Sequence, residues 1–160
     1  MHVWAVIYIH IMSTTPLYDP WTHLATAWPH IHVDPRADLP RGMYGAWTPG
    51  VLHLSRRLTQ AGRRCTLAHE IVHLERGPAP TSNPLLAARE EHIVDLVAAR
   101  RLITLDALAA ALCWHDSRAL DAVADDLWVD RAILVARLRA LLPDERAYIE
   151  QAVARREDAA

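Results

Sequence analysis

His69-Glu70-Ile71-Val72-His73 sets two imidazoles four residues apart with a carboxylate beside the first. On a helix, positions i and i+4 share a face, so the Nε2 atoms of both histidines can converge on one metal ion. Glu70 then stands next to that ion, where a carboxylate can take a proton from water and later hand it to a leaving amine. The spacing points to zinc-assisted peptide hydrolysis, with His69 and His73 as ligands and Glu70 as the base. The flanks read as a buried helix: Cys65, Leu67, Ala68, Ile71, Val72 and Leu74 supply apolar faces, Thr66 or an earlier polar residue can start it, and Gly77-Pro78 stops it. Histidine is common here, at 10 of 160 residues. The rival reading is therefore an amphipathic helix whose histidines only bond to neighbours.

A zinc site of this kind needs at least three protein ligands, and the third must come from outside the first helix. After a Gly/Pro/Ser/Asn connection at 77–84, a second long helix runs from about Leu85 to Ile103 and carries Arg89-Glu90-Glu91-His92-Ile93-Val94-Asp95. Glu91 and Asp95 are four apart, so Glu91 can reach the metal while Asp95 orients His69 or His73 through its other ring nitrogen. Glu90 points about 100° around the helix, so only one of the two glutamates reaches the ion. Glu91 is favoured because Asp95 then falls in register. His92 is a further candidate and would make a three-histidine site. Taken alone, the acidic pair also fits an ordinary charged helix start.

Upstream, Asp19 to Trp28 predicts a short helix with Pro20 at its first position, and Ile31-His32-Val33 a brief strand. Residues 34 to 40 read as a loop. Gly42 to Thr48, Pro49-Gly50 and Val51-Leu52-His53-Leu54 read as a hairpin that can shield one side of the metal. Everything after residue 103 reads helical: Leu105 to Trp114, a pair over 119–139, and a last helix from Pro143 to about Ala154. The expected fold is α+β and mostly helical. A small antiparallel sheet packs on the two metal-binding helices in residues 1–103, and a helical region, 104–160, joins it in one compact unit.

At this point the chain resembles the ImmA/IrrE-type metallopeptidases of phages, mobile elements and bacteria, over about Gly42 to Leu142. The resemblance rests on the apolar strand Val51-Leu52-His53-Leu54, on Arg63-Arg64-Cys65-Thr66-Leu67-Ala68-His69-Glu70-Ile71-Val72-His73-Leu74, and on a helix with Glu91, Asp95, Val97-Ala98-Ala99 and Leu102-Ile103. It implies a gluzincin-like site with His69, His73 and Glu91 on Zn²⁺ and Glu70 as catalytic base. It also implies a protein substrate, such as a repressor encoded near the peptidase gene, and hence a part in transcription regulation. Val72 departs from the glycine usual in the family and Val97 from a frequent phenylalanine. The oxyanion formed at the scissile carbonyl needs a further donor, for which Tyr44, His53, His92 and His115 are candidates. The rival from a different class is a zinc-stabilised interaction protein that binds a repressor or similar partner without cutting it.

Composition narrows the partners. Formal charge is −2, and residues 104–160 hold seven Arg against eleven Asp and Glu. A nucleic-acid surface carries the opposite sign, so the region 119–139 reads as a packed helix pair rather than a helix-turn-helix with Arg131, Arg137 and Arg139 on phosphates. Cys65 and Cys113 are too few for a disulfide framework, which fits a reducing cytoplasm. The apolar run Val3 to Ile11 is too short to span a bilayer and lacks signal-peptide flanks, so no membrane association is expected. Met12-Ser13-Thr14-Thr15 resembles an ordinary start, which leaves the first eleven residues as an upstream extension or an added edge strand. Trp4, Trp21, Trp28 and Trp47 cluster in the N-terminal part, where core packing is the commoner fate of such rings.

Overall fold

A computed structural model describes residues 17–77, 83–115 and 119–158. The first eleven residues, Trp4 among them, lie outside these. Helix α1 (Pro20–Ala27) starts where its chemistry predicts: Asp19 accepts a hydrogen bond from the Trp21 backbone N–H, and Pro20 takes the first turn, where no amide donor is required. Strands β1 (His32–Ala37), β2 (Gly45–Thr48) and β3 (Val51–Ser55) follow. The β2–β3 hairpin turns through Pro49-Gly50, with Gly50 at φ 76°, a left-handed value that favours glycine.

The sheet is mixed, not wholly antiparallel. Its order is β1-β3-β2, with β2 antiparallel and β1 parallel to β3. The hairpin folds β3 back into the centre, so the earlier strand pairs with it from the other side. Strand β1 also runs on through Asp34 and Pro35 to Ala37, where the sequence suggests a loop. It is an edge strand with its register irregular between Asp34 and Ala37, a setting that tolerates a proline without an amide donor.

Helix α2 (Gln60–Arg76) begins earlier than Thr66, because Thr59 caps it by accepting from the Gly62 N–H. It ends at Gly77, φ 79°, whose N–H returns to the His73 carbonyl at 3.0 Å. Helix α3 (Pro84–Leu102) is capped by Asn83, and α4 (Leu105–Trp114), α5 (Leu120–Asp126), α6 (Arg131–Arg139) and α7 (Pro143–Glu157) complete the chain.

Helix α2 is buried on two faces. Leu67 and Ile71 meet Leu24 of α1 and Leu52 and Leu54 of β3. Cys65, Ala68 and Val72 instead join Val94, Ala98 and Leu102 of α3 in a larger core. That core continues through Ile103 into Leu108, Val123, Leu134 and Ile149 without a break. Each fully buried Leu or Ile contributes roughly 1.5–3 kcal/mol before chain entropy is counted. Val72, where the resembled family carries glycine, is 1% exposed and packs in this core. Val97 packs at its margin. The pair α5–α6 is internal packing too: Val123, Ala124, Val129, Ile133 and Leu134 are buried, Arg131 bonds Asp121 at 2.8 Å, and Arg137 is buried against Glu145. Among the described residues, no helix is long and apolar enough to cross a membrane.

Candidate metal centre

Helices α2 and α3 run antiparallel across one another, as the pairs Arg64–Leu102, His69–Asp95 and His73–Glu91 require. Their facing surfaces bring the predicted residues together. The Nε2 atoms of His69 and His73 lie 3.0 Å apart. Each is 3.3 Å from a carboxylate oxygen of Glu91. This trio is the one convergent His, Cys, Asp and Glu set among the described residues, with its ligand atoms within 4.8 Å of one another. Zinc bonds of about 2.0–2.1 Å set tetrahedral ligand atoms roughly 3.3–3.4 Å apart, so these separations and the two-imidazole, one-carboxylate donor set fit zinc.

The tautomer is fixed on one histidine. Asp95 Oδ1 lies 2.9 Å from His69 Nδ1, and a carboxylate only accepts, so Nδ1 carries a proton, which in the neutral ring leaves the Nε2 lone pair for a metal. Glu90 is turned away. Its carboxylate takes a paired hydrogen bond from the Arg76 guanidinium, one leg at 2.8 Å, and that bond holds the Glu90 carboxyl below its usual range. In space Arg76 holds Glu90 aside, one helical turn from His73, while Glu91 lies against both histidines.

Glu70 stands on the sheet side of α2. Its Oε2 accepts from the Trp47 indole N–H at 2.7 Å. Gly45 makes room for it, since a β-carbon there would sit 2.8 Å from Glu70 Oε1. Gly45 and Trp47 were missed as site residues in the sequence. Their signal was the two-residue period of a strand, which puts both on one face just before the helix that carries Glu70. The backbone of β2 adds a further feature. Ser55 N–H donates to the Tyr44 carbonyl, and Thr48 pairs with Val51 across a two-residue turn. By alternation, Ala46 and Thr48 bond to β3, while the amide groups of Gly45 and Trp47 face away from it, on an edge with which no other strand pairs among the described residues.

The oxyanion candidates separate. His53 lies on the opposite face of the sheet, 2.9 Å from Thr48 Oγ1 and 3.3 Å from Asp34 Oδ2, so it does not serve the site. His115 caps α4 and faces Asp126 at 3.5 Å. His92 is exposed and outside the ligand trio. Tyr44, 62% exposed, leads into β2 beside Gly45. Of the tryptophans, Trp28 packs on the smaller core and Trp47 meets Glu70.

The sequence profile of the IrrE N-terminal-like domain matches residues 29–140, from just before β1 to the end of α6. Comparison with curated proteins and with solved structures gives no match.

Proposed function

The chain belongs to the IrrE N-terminal-like family, a metallopeptidase-like group, and from that premise we propose that it is a zinc-dependent endopeptidase. The observation that carries this reading is the convergence of His69 Nε2, His73 Nε2 and the Glu91 carboxylate beside a separately held Glu70. Zinc, when bound, supplies Lewis acidity toward a peptide carbonyl and toward water. His69, His73 and Glu91 would hold it, with Asp95 orienting His69 through Nδ1. Glu70 takes the proton from the attacking water and returns it to the leaving amine. The Trp47 indole fixes one Glu70 oxygen and so sets the direction in which the other lone pairs point. Among the described residues no strand pairs with the outer edge of β2 beside Glu70, and backbone donors and acceptors there would suit an extended stretch of substrate chain.

The substrate we propose is a regulatory protein such as a phage or mobile-element repressor, met in a reducing cytoplasm where Cys65 and Cys113 remain free thiols. The test begins with metal content by plasma mass spectrometry on protein purified without added metal or affinity tag. About one zinc per chain is expected, lost in Glu91→Ala and kept in Glu90→Ala. A wild type that neither carries zinc nor takes it up would sink the reading. Glu70→Gln then separates enzyme from binder: it should keep zinc and fold but abolish cleavage. If Glu70→Gln retains the biological effect on the partner, the protein acts by binding alone.

A further inference from the structure

A cleft of about 290 Å³ opens at the N-terminal end of α2, lined by Trp21, Pro35, Arg36, Gln60, Arg63 and Trp128. Four separate stretches of chain meet there, namely α1, β1, the first turn of α2 and the α5–α6 turn. Among the described residues, no carboxylate lines it. Arg63 Nε donates to the Pro35 carbonyl at 2.9 Å, which orients the guanidinium, and its terminal nitrogens have no acidic partner among the described residues. Among the described residues the Arg36 side chain has no acidic partner; its backbone N–H alone meets Asp34. Arg56 and Arg57, by contrast, are both engaged by Asp38. Two uncompensated arginines therefore share an aromatic cleft on a chain of net charge −2.

Trp128 is an unusual choice for its place. The Trp128 N–H returns to Asp125 and the Val129 N–H to Ala124, both at 3.0 Å, the bonding pattern of a helix end that normally uses glycine. Trp128 holds φ 52° there, the one positive value among described residues other than glycine. A side chain in that region costs of order 1 kcal/mol. The ring is gripped from below: Arg64, itself buried, donates to the Trp128 carbonyl at 3.0 Å and sits 5.2 Å from the ring centroid. Even so, Trp128 stays 48% exposed and Trp21 37%. A strained backbone thus presents a rigid aromatic surface beside guanidiniums with no acidic partner among the described residues, and a preorganised ring loses little entropy when it is covered.

We propose that this cleft is a docking site for an acidic peptide segment, an aromatic or proline side chain seated between Trp21 and Trp128 and flanking carboxylates on Arg36 and Arg63. The volume suits one or two side chains. Two cations without a continuing basic track do not suit a phosphodiester backbone. Arg63 lies about 9–15 Å along the α2 axis from His69 and His73, so a protein anchored here can reach the candidate metal centre. The docking proposal stands whether or not that centre cuts.

A random peptide library displayed on phage, selected against the full chain, tests it. Enriched peptides should pair Asp or Glu with an aromatic residue or proline. Their synthetic forms should bind about tenfold or more weakly to Arg36→Glu, an exposed change, and to Arg63→Glu, a half-buried one. Trp128→Gly relieves the strained backbone while giving up the ring's contact with Arg64; once its fold is verified by circular dichroism, it should also lose binding. Enrichment of peptides without acidic residues would overturn the site. So would equal binding to all three folded variants, or displacement by a single-stranded DNA oligonucleotide at physiological salt.

Discussion

Gly45 is the smallest residue at the candidate centre and sets one of its tightest clearances. Adding a methyl group by Gly45→Ala brings a carbon to 2.8 Å from Glu70 Oε1, and the carboxylate, at the end of a flexible side chain, moves before the backbone does. Zinc content and thermal midpoint should therefore hold while cleavage of the protein's substrate falls on the order of a hundredfold, the effect of about 1 Å of misplacement. Unchanged turnover in a zinc-loaded Gly45→Ala would show that Glu70 needs no fixed position. At this scale much of the site was legible in the sequence, because His69 and His73 are related by helical geometry alone. Glu91 and Asp95 share their own face in the same local way. What the sequence left open lies in contacts remote in the chain. Arg76 draws Glu90 aside, and Trp47 reaches Glu70 across 23 positions.

At the scale of elements, boundaries written in cap chemistry were readable and pairings were not. Asp19-Pro20 and Pro143 marked helix starts that the structure keeps, since a cap or an N-terminal proline acts within one turn. The parallel pairing of β1 with β3 depends on a hairpin folding between them, and no local pattern announces it. Gly77 is the sharpest element boundary near the site. It holds φ 79° with ψ 178°, a region essentially restricted to glycine, and a β-carbon there would meet nothing within 4 Å. Gly77→Ala thus isolates backbone strain from packing. It should lower unfolding free energy in urea by about 1–3 kcal/mol and leave zinc stoichiometry intact, because His69 and His73 sit in earlier turns. A loss of zinc with no loss of stability would mean that the end of α2 shapes the site directly.

Across the whole molecule, the helices after residue 103 pack on those before it through the main core and through one ion cluster. Arg137 of α6, 3% exposed at its side chain, reaches Glu145 of α7 at 2.9 and 3.3 Å, and Arg100 of α3 meets the same carboxylate at 3.1 Å. The sequence offered Arg137 only as a possible phosphate contact, because nothing local pairs residues 100, 137 and 145. The Arg137 hydrogen bond, with further help from the Leu142 N–H and Arg100, draws the Glu145 carboxyl from 4.5 down to about 2. A lowered folded-state pKa means that the unfolded chain takes up the proton first. The contribution is therefore complete above about pH 4.5 and is lost as pH falls through the folded value near 2. Glu145→Gln should unfold at neutral pH with a loss of about 3 kcal/mol, since Arg137 stays buried without its counter-charge. Asp19, Asp34 and Glu90 are also held low and will weaken both proteins in acid, so the difference between them is the quantity to read. In urea titrations repeated from pH 7 downward, that difference should stay constant to about pH 5 and then shrink toward pH 2. A gap that does not change with pH would assign the loss to shape rather than charge, and would leave the hydrophobic core alone to join α3 to α6 and α7.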